Sequence, residues 1–90
     1  MSGRGNVETL LVLQLQPIAV DTNSPDREGM LVIANGLLVA VLVRLEGPEH
    51  DDRGSWFMEA GFGRLQGQRV PTFPTLEEAT RWLRRHLKAA

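Results

Sequence analysis

The residues that could do chemistry fall into a few short strings, and each can be held against what its chemistry requires. His50-Asp51-Asp52 is the one place where an imidazole sits beside carboxylates. A metal centre needs three or four convergent ligands, and the other histidine, His86, lies near the C-terminal end among arginines. The string serves a hairpin turn adequately, because Asp and His accept loop geometry and keep a tip solvated. Asp21, Asn23, Asp26 and Glu28 space oxygen ligands closely enough to suggest calcium. Counted from Asp21, the fifth, sixth and twelfth places of an EF-hand loop hold Pro25, Asp26 and Val32, where Asp or Asn, Gly and Glu are required. A solvated turn fits better.

Gly61-Phe-Gly63-Arg-Leu-Gln-Gly67 resembles a dinucleotide-binding loop at a glance. The third glycine falls one residue late, and no helix follows at once to hold a pyrophosphate on its N-terminus. Ser2, Ser24 and Ser55 lack a nucleophile elbow, and cysteine is absent, which excludes disulfides, thiolate metal sites and cysteine nucleophiles. Glu59 is the one carboxylate in mid-strand, and alternation turns it away from Trp56, Met58 and Phe62, toward solvent or a partner chain. No catalytic residue, cofactor site or metal site is expected, and the chain reads as a non-enzyme.

Arg81, Arg84, Arg85 and Lys88 could line up phosphates, with Trp82 stacking on a base and Arg64 and Arg69 nearby. The plainer account is a solvated helix face. Cations in a last helical turn offset the dipole, and Glu77 and Arg81 stand at i,i+4 spacing. Nucleic-acid binding through this face is the alternative function. Pro71-Thr-Phe-Pro74 matches a minimal proline-rich ligand, but its ordinary role is to stiffen the approach to the helix, with Phe73 dropping into the core.

The elements that must position these residues are marked by local signals. Residues 1–6 are small, polar and Gly-rich and read as a disordered tail, leaving 7–90 as one domain. From Val7, apolar residues alternate through Leu11, Leu13 and Leu15 against Glu8, Gln14 and Gln16, a strand with one wetter face that Pro17 ends or loosens. Residues 21–29 are dense in turn formers and make a long loop. Met30–Ala34 and Leu37–Leu45 are joined by Asn35-Gly36, which predicts a two-residue type I′ hairpin because both positions accept positive φ. After the polar turn of residues 47–54, Ser55–Phe62 reads as a strand with Trp56, Met58, Ala60 and Phe62 on one side. Gly61 and Gly63 predict a bulge or a close approach of backbone. Thr75 with Glu78 makes a capping box for a helix over 75–88, whose stripe is Leu76, Ala79, Thr80, Leu83 and Leu87. The expected fold is therefore α+β: a four-stranded antiparallel, meander-like sheet with one C-terminal amphipathic helix packed on one face.

Composition bounds the function classes. Ninety residues allow one core that buries about 60 to 65% of the extended-chain surface, so subunit pairing would add useful stability. Net charge is −1, which gives no global field for nucleic acid or an anionic membrane. The apolar stretch Leu10–Leu13 is short and flanked by Glu8, Gln14 and Gln16, unlike a signal core or a membrane span, so cytoplasmic residence is expected. The string Trp56–Gly63, followed by a proline-flanked cap and an arginine-rich helix, looks like many short bacterial proteins in style and carries over no residue roles.

The most informative feature is a surplus of apolar surface. In Leu37–Val43 both parities are hydrophobic, Leu38, Ala40 and Leu42 on one side and Leu37, Val39, Val41 and Val43 on the other. A single helix covers one face, and the other needs a second chain. A non-enzymatic protein–protein interaction or homodimerisation module, with one of those two sets at the dimer interface, is the expected function.

Overall fold

The structure, a computed structural model, describes residues 10–88. The expected tail and the start of the first strand at Val7 lie outside the described residues. Four strands form one antiparallel sheet in chain order: β1 Leu13–Ala19, β2 Glu28–Ala34, β3 Leu37–Arg44 and β4 Trp56–Gly61. A single 3₁₀ turn at Gly63–Leu65 and the helix α1, Leu76–Lys88, complete an α+β arrangement.

The β2–β3 hairpin is set by its two turn residues, with φ of 50° at Asn35 and 85° at Gly36. Positive φ at both positions defines a type I′ geometry, whose twist matches that of the flanking strands. Asn35 also ties in the chain before β1: its Oδ1 accepts from Val12 N at 2.8 Å, and its N–H donates to Val12 O at 2.9 Å. β1 runs straight through Pro17, which pairs with Met30, and does not end there. As an edge strand, β1 has one side without a neighbour, so the missing donor interrupts no inter-strand bond there.

The helix starts where the cap residues place it. Thr75 Oγ1 accepts from Glu78 N at 3.1 Å, and Ala79 N donates to Thr75 O at 3.1 Å. Its apolar stripe buries Ala79 and Leu83 completely, with Leu76, Trp82 and Leu87 packed around them. The core between helix and sheet also holds Val32, Ala40, Leu42, Trp56, Met58, Leu65 and Phe73. Phe73 reaches it because the segment before the helix pairs with the start of β4: Trp56 N donates to Phe73 O at 2.7 Å, and Phe73 N to Trp56 O at 2.9 Å. Gly61 answers a close approach, since a Cβ there would lie 2.9 Å from Leu65 O and 3.0 Å from Met58 Sδ.

Two bulges break the strict alternation that the sequence suggests. Pairing between β2 and β3 jumps from Ile33↔Leu38 to Val32↔Ala40, leaving Val39 as the extra residue. Pairing between β3 and β4 jumps from Val41↔Ala60 to Leu42↔Met58, leaving Glu59 extra. Each extra residue changes the face of everything beyond it. Ala40 and Leu42 lie at 0% exposure in the helix-side core, whereas Leu38 is 44% exposed, paired with Ile33 on the opposite face. Val41 and Val43 stand on that opposite face, while Val39 packs against the core. Neither parity set of β3 therefore occupies one face. Ala60, likewise, pairs with Val41 and departs from the side of Trp56 and Met58.

Candidate functional site

Register fixes what the sheet presents on the face away from the helix. Gln14, Gln16 and Ile18 of β1 pair with Ile33, Leu31 and Gly29 of β2, and these with Leu38, Val41 and Val43 of β3. Phe57 and Ala60 of β4 extend the rows opposite Val43 and Val41. Leu31, Ile33, Leu38 and Val41 thus form an apolar centre, half-buried or exposed, with no element of the described residues across it. Ile18 and Phe57, 42% and 40% exposed, continue it at the end remote from the Asn35-Gly36 turn. Glu59 is the single charged side chain among these strand positions, at the β4 margin.

At that remote end the face dips into a depression of about 360 Å³. Its walls come from the β1–β2 loop (Thr22, Asp26), the β3–β4 loop (Leu45, His50, Asp52), strands β3 and β4 (Val43, Phe57, Glu59) and the approach to the helix (Thr72). The two loops are joined by Asp26, the one buried charged residue among those described, 8% exposed. Its Oδ1 accepts from Glu46 N at 2.6 Å and Gly47 N at 2.7 Å, and its Oδ2 meets His50 Nε2 at 2.7 Å. Thr22 Oγ1 donates to the Asp26 carbonyl, and Ser24 Oγ accepts from Asp26 N at 3.0 Å, which fixes the Asp26 backbone in the loop.

The electrostatics follow from those bonds. Donation from the Glu46 N–H holds the Asp26 carboxyl below its usual range; burial opposes this, and His50 and the Gly47 N–H reinforce it. The hydrogen bond to Asp26 pushes the His50 imidazole up against its own desolvation, and the charges of Asp26, Glu49 and Asp52 add to the rise. His50 Nε2 also lies 3.3 Å from Glu49 Oε2.

Asp26, Glu49 and His50 offer ligand atoms within 4.8 Å of one another, a spacing a cation could use. Both Asp26 oxygens are already committed to protein donors, however, so the cluster is complete as a clamp between loops.

The two motifs weighed separately in the sequence are thus one site. Asp26 leaves the would-be calcium string to meet His50 of the would-be metal string, 24 residues away. Asp52 accepts from Thr72 Oγ1 at 3.0 Å, and Asp51 remains an exposed loop residue. Asp21 Oδ1 caps Asn23 N at 3.0 Å as a turn residue. Glu59 does face away from Trp56 and Met58, as expected, and lines the depression beside Phe57. Leu45 and Thr72 were not legible as site residues, and Val43 was singled out only as a candidate interface residue; the hint at this depression was the polar Glu59 in an apolar strand.

The basic helix residues Arg81, Arg84, Arg85 and Lys88 all lie at the surface of α1. Arg84 Nη1 donates to Leu11 O at 3.0 Å, while Arg81, Arg85 and Lys88 are exposed. No ion pair joins Glu77 and Arg81 among the described residues. Trp82 stacks one face on His86 with ring centroids 3.7 Å apart and makes a tilted contact with Phe73 at 5.7 Å, which ties the ring into the fold. Among the described residues no helix is long and apolar enough to cross a membrane. Comparison with protein-family models, with curated proteins and with solved structures gives no match.

Proposed function

We propose that this chain is a non-enzymatic homodimerisation module, in which the helix-free faces of two sheets pack against each other about a two-fold axis. The observation that supports it is the apolar centre Leu31, Ile33, Leu38 and Val41, which no described element covers. A second copy is the occupant that fits, because a two-fold interface sets a surface against itself and this centre carries no charge to repel its own image. Aligned sheets pack about 10 Å apart, with side chains interleaving.

The interface centres on Leu31, Ile33, Leu38 and Val41 of β2 and β3 and leaves the Phe57 end of the face uncovered, which sets its area at the low end of specific interfaces. An interface of that size is of the weak, reversible kind, and a cytoplasmic setting is part of the same reading. Light scattering coupled to size exclusion over a concentration series tests it. The expected mass rises toward twice the 10.0 kDa of one chain as concentration increases. A mass that stays near 10.0 kDa into the high micromolar range overturns the proposal. Leu38→Lys should give a folded monomer, because the new ammonium would be desolvated against the partner. Submicromolar, salt-sensitive binding of the parent to short RNA or DNA would favour the basic helix face instead.

A further inference from the structure

We propose that the depression at the end of the exposed face binds a small organic cation, a primary ammonium carried on an apolar or aromatic body. The proposal does not rest on the dimer: the walls come from one chain, and the site lies at the opposite end of the face from Leu38.

Shape and floor come first. At about 360 Å³ the depression falls at the small end of ligand sites. Val43 and Leu45 are buried at its apolar floor, and Phe57, 40% exposed, stands beside them. An exposed ring next to a carboxylate suits an aromatic body, or an ammonium held over the ring face.

The rim then selects the sign of the ligand. Hydrogen-bond capacity around it is almost entirely accepting. Glu59 is set outward by the β4 bulge and has no hydrogen bond or ion pair among the described residues. Asp52 has one oxygen engaged by Thr72 and the other open. The Thr22 and Thr72 hydroxyls spend their protons on the Asp26 carbonyl and on Asp52, and so face a ligand as acceptors. His50 gives its Nε2 to Asp26, which leaves only its second ring nitrogen as a donor. Among the described residues no Lys or Arg lines the depression, and the positive charge that His50 can carry is paired with Asp26. An ammonium brings three donors and no acceptor, the complement of this rim, whereas a carboxylate would meet unpaired acceptors of its own charge.

The bulge at Glu59 supports the same conclusion from the backbone. An extra residue in β4 interrupts the ladder with β3 and turns a carboxylate into the depression. Bulges concentrate where a strand must re-aim a side chain toward a site.

The test uses the full chain, isotope-labelled for amide NMR, titrated at neutral pH with 2-phenylethylamine, 2-phenylethanol and phenylacetate. For so small a ligand a Kd of roughly 1 to 10 mM is expected for the amine. Its shifts should be confined to Thr22, His50, Phe57, Glu59 and Thr72, with weaker binding of the alcohol and none of phenylacetate. Glu59→Gln keeps the shape of the side chain and should weaken the amine roughly tenfold while the spectrum remains that of the folded chain. Leu38→Lys should bind as the parent does; loss of binding there would mean that two chains form the site and would overturn the single-chain pocket. Equal binding of phenylacetate, unchanged affinity in Glu59→Gln, or no saturable shifts with the amine would each overturn the proposal.

Discussion

The two faces of this sheet are made from the same kinds of residue and have opposite fates. On one, Val32, Ala40, Leu42 and Met58 are sealed by Ala79 and Leu83 of the helix. On the other, Leu31, Ile33, Leu38 and Val41 repeat the aliphatic chemistry with nothing of the described chain above them. One thirteen-residue helix is enough for one face of four strands. The comparison teaches that hydrophobicity alone does not say where the core is, because the covering element decides it. The sealed face holds the fold together, and the open face, with the depression at its end, is where the proposed partner and ligand would bind.

The sharpest way to break this comparison is to damage the sealed face. Leu83→Ala removes a side chain with 0% exposure at the centre of the helix stripe, and should lower stability by about 2 to 4 kcal/mol in urea titration. A loss under about 0.5 kcal/mol, the size of an ordinary surface change, would mean that the helix does not seal this face. Next in size is the turn that sets which residues lie on which face. Gly36 has φ of 85° and open space where a Cβ would stand, so Gly36→Val is penalised by backbone conformation alone, by about 1 to 2 kcal/mol. An unchanged thermal melt would contradict the type I′ turn.

A pH series examines the clamp beside the open face. The Asp26 carboxyl is held low, so its contribution is present above its ordinary value and lost as pH falls through the folded value, below about pH 4. His50 is pushed up, so its contribution is complete below its ordinary value of about 6.5 and lost as pH rises through the folded value. The melting temperature should be highest between those limits, and His50→Gln should remove the alkaline decline while leaving much of the acid one. A melting curve flat from neutral to pH 9 in the parent would contradict the clamp.

The smallest effect on the fold is expected on the open face. Leu38→Lys should change monomer stability by less than about 0.5 kcal/mol, whereas Val39→Lys, one residue along but packed against the core, should lose several times more. Equal losses, measured by denaturant titration at low concentration, would erase the distinction between the faces that the Val39 bulge creates.

Much of the fold was legible because its signals are local. Asn35-Gly36 accepts the positive φ that a two-residue hairpin turn demands whatever surrounds it, and Thr75 satisfies Glu78 N within one helical turn. Phe73 between two prolines, and Gly61 against Leu65, were also readable from their own positions. The candidate site was not. Asp26 and His50 stood in separate loops, each explicable as a solvated turn, and no spacing rule joins residues 24 apart.

The amino-acid sequence by itself determined the elements, their order and the presence of more apolar surface than one helix covers, because periodicity, turn residues and caps act over a few residues of chain. Only the tertiary structure decided which side chains form that surplus surface. The decision rests on Val39 and Glu59, two extra residues; Gly61 hints at an irregularity near the second, and nothing beside Val39 marks the first. A bulge arises when two strands with different ideal registers must pair at once with a turn on one side and a core on the other. That balance of long-range pairing and packing exists only in the assembled sheet.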